Sequence, residues 1–306
     1  MITTQQRAEF RKHFRYNVGR RLIIDKIANC IVIGCVVIAI VPLGSILFEV
    51  FKNGSFAFSI EFLTQIPGAV GTGEGGIGPA IQGTLLIIGA SSIIGVPVGV
   101  LAGIFLSEFG DNRYARTIRF FNDVMAEFPS IVVGIFAFLV IVLVLGNFSL
   151  WAGAFALSLI MLPIIARTTE ESLKLVPVTY REAGYALGIK KWVITTRIII
   201  SSAKSGMITG IMLAVARIGG ETAPLIMTIL GSSQFFTGSG AMDALPLRIW
   251  RLSLLPYDSA QAQGWGAAAI LILIVLSINI GVRYIFLRKR GKSTSFQFRT
   301  RRKESR

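Results

Sequence analysis

Polarity along this chain changes by whole segments rather than residue by residue. Residues 27–48, 75–107, 128–166 and 259–282 carry no charge, and 205–231 carries only Arg217 and Glu221. A helix needs about 20 apolar residues to cross the roughly 30 Å hydrocarbon core of a bilayer. The 39-residue stretch 128–166 would reach roughly 58 Å at about 1.5 Å per residue, too long for one crossing. The turn-forming cluster Gly146-Asn147-Phe148-Ser149 divides it. The pattern predicts six transmembrane helices, at about 27–50, 80–107, 129–146, 149–166, 206–231 and 262–284, and hence an all-α integral membrane protein.

Composition agrees. The 306 residues are 53% hydrophobic and 15% charged, against about 25% charge in a soluble domain. Mean hydropathy is +0.68. No polar block is long enough to build a separate soluble core, so the expected organisation is a tail 1–26, a permease-like membrane domain 27–284 and a basic tail 285–306.

Charge adds orientation. Of the 31 Lys and Arg residues, 27 lie in 1–26, 107–128, 167–204 and 283–306. Lys52, Arg248 and Arg251 are the cations of the opposite face. Positive charge accumulates on the cytoplasmic side, so both termini are expected there. The net charge of +15 is then a topology signal, and the basic C-terminal tail reads as an anchor for anionic lipid, with no nucleic-acid partner expected.

The remaining chemistry is sparse. The first apolar run starts late and spans fully, so it is expected to stay as the first helix and not to be cleaved. Cys30 and Cys35 lie within it, too far apart for a disulfide, and read as small apolar fillers. The single histidine, His13, and the lack of an acidic cluster argue against a metal site. Gly71-x-Gly73-x-x-Gly76 follows no strand and reads as a flexible loop into the second helix. Gly291-Lys292-Ser293 ends like a phosphate-binding loop, but Phe286 stands where that motif requires Gly, so no ATP or other cofactor is expected on this chain. Asn53-Gly54-Ser55 and Asn147-Phe148-Ser149 are glycosylation patterns without a context that would use them.

The segment 167–204 is long for a loop and is built like helices. Thr168-x-x-Glu171 and Thr179-x-x-Glu182 fit capping boxes, and Pro177 separates the two predicted helices. In the second, Ala183, Ala186 and Leu187 form a small apolar face, and Gly188 is placed to end the helix. Such a face suits a groove on a partner or the surface of the bilayer.

Glu182-Ala183-Gly184, followed by Gly188 and Ile198, resembles the EAA loop of ABC-type importer permeases. Two positions depart from that pattern: Gly184 replaces an alanine, and Ser201 stands where the family usually has proline. GGIGPAIQGT (75–84), EFPSIVVGIFAF (127–138), RTTEESLKLVP (167–177) and ARIGGETAPL (216–225) are similar, in order, to motifs of the phosphate-specific (Pst) permeases of that class, the PstA subunits most closely. The resemblance covers roughly residues 20–290. It implies a type I, MetI-like permease bundle in the cytoplasmic (inner) membrane. It also implies three kinds of partner component: a second, unlike permease (PstC-like), two ATPase subunits (PstB-like) that hold ATP and Mg, and an external phosphate-binding protein (PstS-like). Docking on the ATPase would fall to Glu182, Ala183, Gly184, Ala186, Leu187 and Gly188.

Arg217 and Glu221 are the charges that need an explanation. On a helix over 206–231, Arg217 lies roughly 17 to 21 Å from either end, near the midplane. A cation there costs at least about 2.5–3.5 kcal/mol. Glu221, one turn away, reduces that cost by pairing but does not explain why either charge is present. A structural ion pair between helices and a site in a polar pathway both fit; ionisable groups at this depth usually face a cavity. With the resemblance, Arg217 would offer its donor fork to phosphate oxygens. Glu221 would neutralise Arg217 when the path is empty, or accept a hydrogen bond from a protonated phosphate oxygen. Gly219, Gly220 and Pro224 would permit a kink.

Arg167 reads physically as an anchor at the inner face, and by resemblance as a second pathway arginine. Arg248 and Arg251 lie in LPLRIWRLSLLP, an interfacial helix by pattern, or receivers of phosphate or of the binding protein. Glu221 is expected to be the only buried acid, which leaves an intramembrane enzyme without a catalytic constellation. The alternatives to phosphate transport are permeation of another oxyanion, such as molybdate or sulfate, and an ion channel.

Overall fold

A computed structural model describes residues 4–69, 71–110 and 112–300, and side chains from 22 to 284 apart from 56, 70 and 111. Among the described residues all regular structure is helical, with two isolated bridges, Pro67 to Gly75 and Leu230 to Met242. The helices are α1 (Thr4–Asn53), α2 (Ile60–Thr64), α3 (Gly78–Glu108), α4 (Arg113–Glu127) and α5 (Ser130–Leu145). After these come α6 (Leu150–Lys174), α7 (Val178–Ala186), α8 (Lys191–Gly219), α9 (Ala223–Thr228), α10 (Leu245–Ser253) and α11 (Asp258–Thr300).

Five of these helices are long and apolar enough to cross a membrane, and α4 with α5, bent by 106° at Phe128-Pro129, makes a sixth candidate crossing. The protein is a multi-pass membrane protein of the expected class.

Residues 1–52 and 53–306 form two units. In the first, α1 begins at Thr4, so the basic N-terminal segment continues the helix of the first span. Cys30 and Cys35 are free and exposed on it. His13 and the tail cations of 285–306 have side chains outside the described residues.

In the second unit, the backbone of α3 packs closely on α6 at three glycines. Gly95, Gly99 and Gly103 face Met161, Ile165 and the Ala166/Thr169 pair; a Cβ on them would come within 3.3, 2.8 and 2.5 Å. Small residues spaced by four are how apolar helices approach closely where lipid offers no hydrophobic drive. The central core then joins Ile87, Leu157, Met161, Ile165, Ala214, Ile218, Leu225 and Leu247 from α3, α6, α8, α9 and α10.

Three sequence expectations are corrected. The fifth crossing occupies Lys191–Gly219, not 206–231, because Gly219-Gly220 ends the helix and Pro224 belongs to the first turn of the next. The fourth runs on to Lys174, so Thr168 is mid-helix; its hydroxyl donates to the Ile164 carbonyl (2.8 Å) and caps nothing. Thr179 is likewise inside α7, whose N-cap is Pro177 with no side-chain cap bond. The stretch 107–128, read as a connection, contains the amphipathic α4, started by Asn112, whose Oδ1 accepts from Tyr114 N–H (3.4 Å).

Candidate functional site

Arg217 lies in the last turn of α8, and Glu221 lies one residue past the C-cap Gly220. The pair is therefore at a helix break, not in mid-helix as the apolar run suggested. A cation is favourable at a helix C-terminus, where carbonyls lack partners. Glu221 Oε1 approaches Arg217 Nε at 3.6 Å. The arginine side chain is 55% exposed and the glutamate 16%. Gly219 seats α8 against Val275 of α11, where a Cβ would come within 2.9 Å. Pro224 seats α9 against Gly134 of α5, where a Cβ would come within 2.6 Å of Pro224 Cα. The glycines and the proline thus create both the break and the close packing around it.

Arg167, on α6, is exposed and bridges Asp123 of α4 (3.7 Å) and Glu171 (3.2 Å). No contact brings it to Arg217.

The short helix α7 is held firmly. Pro177 opens α7 and Gly188, at φ +71°, closes it. Gly188 N–H donates to Tyr185 O and Ile189 N–H to Gly184 O, a Schellman ending. Glu182, Ala183, Ala186, Leu187 and Gly188 are exposed. Gly184 instead faces inward: a Cβ there would meet Ile194 Cδ1 at 2.7 Å, which accounts for glycine at that position of the EAA pattern.

Glu221 is only partly buried, and three other acids are covered more deeply. Glu108, 4% exposed, ends α3 and bonds to Arg181 of α7, while Lys191 lies 3.8 Å from its other oxygen. Glu170, 8% exposed, takes Arg119 and Lys174 at 2.6 Å each. Asp243 is wholly buried beside Arg248 (3.5 Å). In sequence each acid looked like an ordinary charge outside an apolar run. Their burial depends in part on partners up to 83 residues away, which no local pattern records.

Arg248 is accordingly interior, not a receiver on the outer loop, and α10 buries Leu245, Pro246, Leu247 and Leu252 within the bundle. Burial pushes the Asp243 carboxyl above its usual range despite Arg248, and pushes the Arg248 guanidinium below its own. Arg251 bonds the carbonyl of Leu230, a non-glycine residue at φ +62°. The Gly71–Gly76 loop is tied to the start of α11, where Ser259 Oγ donates to Gly71 O (3.1 Å) and Gln263 Nε2 to Gly73 O (3.2 Å). Gly291-Lys292-Ser293 lies within the continuous helix α11 and forms no phosphate loop.

Comparison with known proteins bears on what this arrangement serves. Residues 95–291 match the family described as binding-protein-dependent transport system inner membrane component. The phosphate transport system permease protein PstA of Haemophilus influenzae is 43% identical over 225 residues, 72% of this chain and 79% of that one. The probable phosphate transport system permease protein PstA of Methanocaldococcus jannaschii is 39% identical over 238 residues, 77% and 84%. Among solved structures, a chain of the MetNI methionine ABC transporter in an inward-facing conformation shares the fold, with TM-score 0.54 and 18% identity over 68% of this chain and 94% of that one.

Proposed function

The chain belongs to the binding-protein-dependent transport permeases, in the PstA branch, and from that premise we propose that it moves inorganic phosphate through an ATP-driven importer. The observation that carries this reading is Arg217 at the α8–α9 break, with 55% of its side chain exposed. Glu221 approaches at Nε, 3.6 Å, leaving the terminal nitrogens of the fork to donate to phosphate oxygens. Glu221 balances the arginine when no anion is present, and accepts a proton-bearing phosphate oxygen when one is. Arg167, with Asp123 and Glu171 beside it, receives the anion further along. The broken helix gives the backbone freedom to alternate between two forms.

The rest of the assembly follows from chemistry. The exposed face of Glu182, Ala183, Ala186 and Leu187 on α7 docks into a groove of a PstB-like ATPase dimer, which holds ATP and Mg. A PstC-like permease completes the pathway and a PstS-like protein delivers phosphate from outside. The basic segments place both termini in the cytoplasm and the protein in the inner membrane.

The test is uptake of radiolabelled phosphate into proteoliposomes holding the four-component complex, with phosphate-loaded binding protein outside and ATP inside. ATP-dependent accumulation of phosphate, with sulfate and molybdate excluded, is the expected result. Equal uptake of all three anions would overturn the substrate assignment, and passive conductance without ATP would make the protein a channel.

A further inference from the structure

The buried carboxylate of Glu108 is the end of α3, and two cations reach it, one from within α7 and one from the start of α8. Arg181 Nη1 bonds Oε1 from within α7. Lys191, the first residue of α8, lies 3.8 Å from Oε2, donates to the Glu108 carbonyl at 3.2 Å, and stands 4.3 Å over the ring of Phe109. Between these two attachments lies the whole turn that ends α7. Gly184 closes the same unit from the inside against Ile194.

We propose that Glu108, Arg181 and Lys191 are positioning residues that form a rigid joint, through which movement of α7 is delivered to α3 and, by the glycine stripe, to α6. This rests on the reading of α7 as the segment that docks on the ATPase. The carboxylate is 4% exposed, so it cannot release its cations without being left as a buried, unpaired charge. A joint of this kind does not slip. The link to α6 through Leu175-Val176-Pro177 is a turn between two helix ends and transmits a pull less directly than an ion pair at the helix tip. Gly99 and Gly103 then hold α3 against α6 by seating the Ile165 and Thr169 side chains directly on the α3 backbone. The alternative is a staple that only keeps α7 folded, and it predicts different behaviour in the assembled complex.

The experiment compares wild type, Glu108→Gln, Arg181→Gln and the double variant in the reconstituted four-component complex. Three quantities are read: ATPase subunits retained on purification, ATP hydrolysed, and phosphate accumulated per ATP. The joint predicts retained ATPase and continued hydrolysis, with phosphate per ATP falling roughly tenfold in each single variant. It also predicts a double variant no worse than either single one, because both changes open one contact. Unchanged phosphate per ATP in Glu108→Gln, or losses that multiply in the double variant, would overturn the joint. Loss of ATPase retention in both single variants would mark the cluster as a folding staple and overturn it equally. Wild-type complex that hydrolyses ATP and moves no phosphate would instead reject the phosphate reading, and the ratio would then be read on the anion it does move.

Discussion

Two ion pairs of this protein look alike on paper and differ in kind. Arg217 and Glu221 are four residues apart, with the arginine 55% exposed and the pair separated by 3.6 Å. Arg248 and Asp243 are five residues apart and separated by 3.5 Å, with the acid wholly buried and the arginine 11% exposed. The first pair lies at the end of a helix with room around the cation. The second is closed into the bundle between α10 and the loop before it. An ion pair with one open side can exchange its counter-ion for an anion in solution; one closed on all sides can only hold the chain together.

The comparison is most directly broken by substituting the two arginine partners in turn. Arg217→Gln should reduce ATP-dependent phosphate uptake by roughly 100-fold, the value of a lost charge-assisted contact to the substrate, with thermal stability in detergent unchanged. A large loss of stability with uptake per folded molecule intact would make the open pair structural as well. Asp243→Asn should do the reverse. It leaves Arg248 buried without its counter-charge and should cost about 3–5 kcal/mol of stability, read as a lowered midpoint of thermal aggregation. Uptake per folded molecule should stay within about twofold of wild type, since the pair faces no open space. Full stability in this variant would mean the interior pair contributes nothing.

Glu221→Gln sharpens the first pair. If its carboxylate accepts the proton-bearing oxygen of phosphate, discrimination against sulfate should fall several-fold, on the order of one hydrogen bond to a charged group. Unchanged selectivity with transport intact would leave Glu221 as a balancing charge only. The smallest effect belongs to Arg167→Gln. Its bonds to Asp123 and Glu171 are exposed, so stability should change by less than about 1 kcal/mol. Any larger drop in uptake would then report a place on the pathway.

What the sequence made visible follows from how far apart the interacting residues lie. Apolar runs identify crossings because each is a local property of about 20 residues, and the class of fold was readable from them. The helix break at Gly219-Gly220 was visible as a motif but misread as a kink, because an apolar run does not record where a helix ends. Arg217 and Glu221 stood out because their surroundings were apolar. Glu108, Glu170 and Asp243 did not, because an acid outside an apolar run is ordinary until a helix from elsewhere covers it. The α4 helix was missed for a related reason: its polar residues fitted the expected loop between spans, and only the Asn112 cap and a period near 3.6 distinguished it.

The glycine stripe between α3 and α6 is graded. The space for a Cβ shrinks from 3.3 Å at Gly95 to 2.8 Å at Gly99 and 2.5 Å at Gly103. The room left beside each glycine therefore falls toward the Glu108 end of the stripe. Tolerance to substitution should narrow along the same line, with alanine accepted first at 95 and last at 103, so that a saturation scan would trace this seam without any image of the fold.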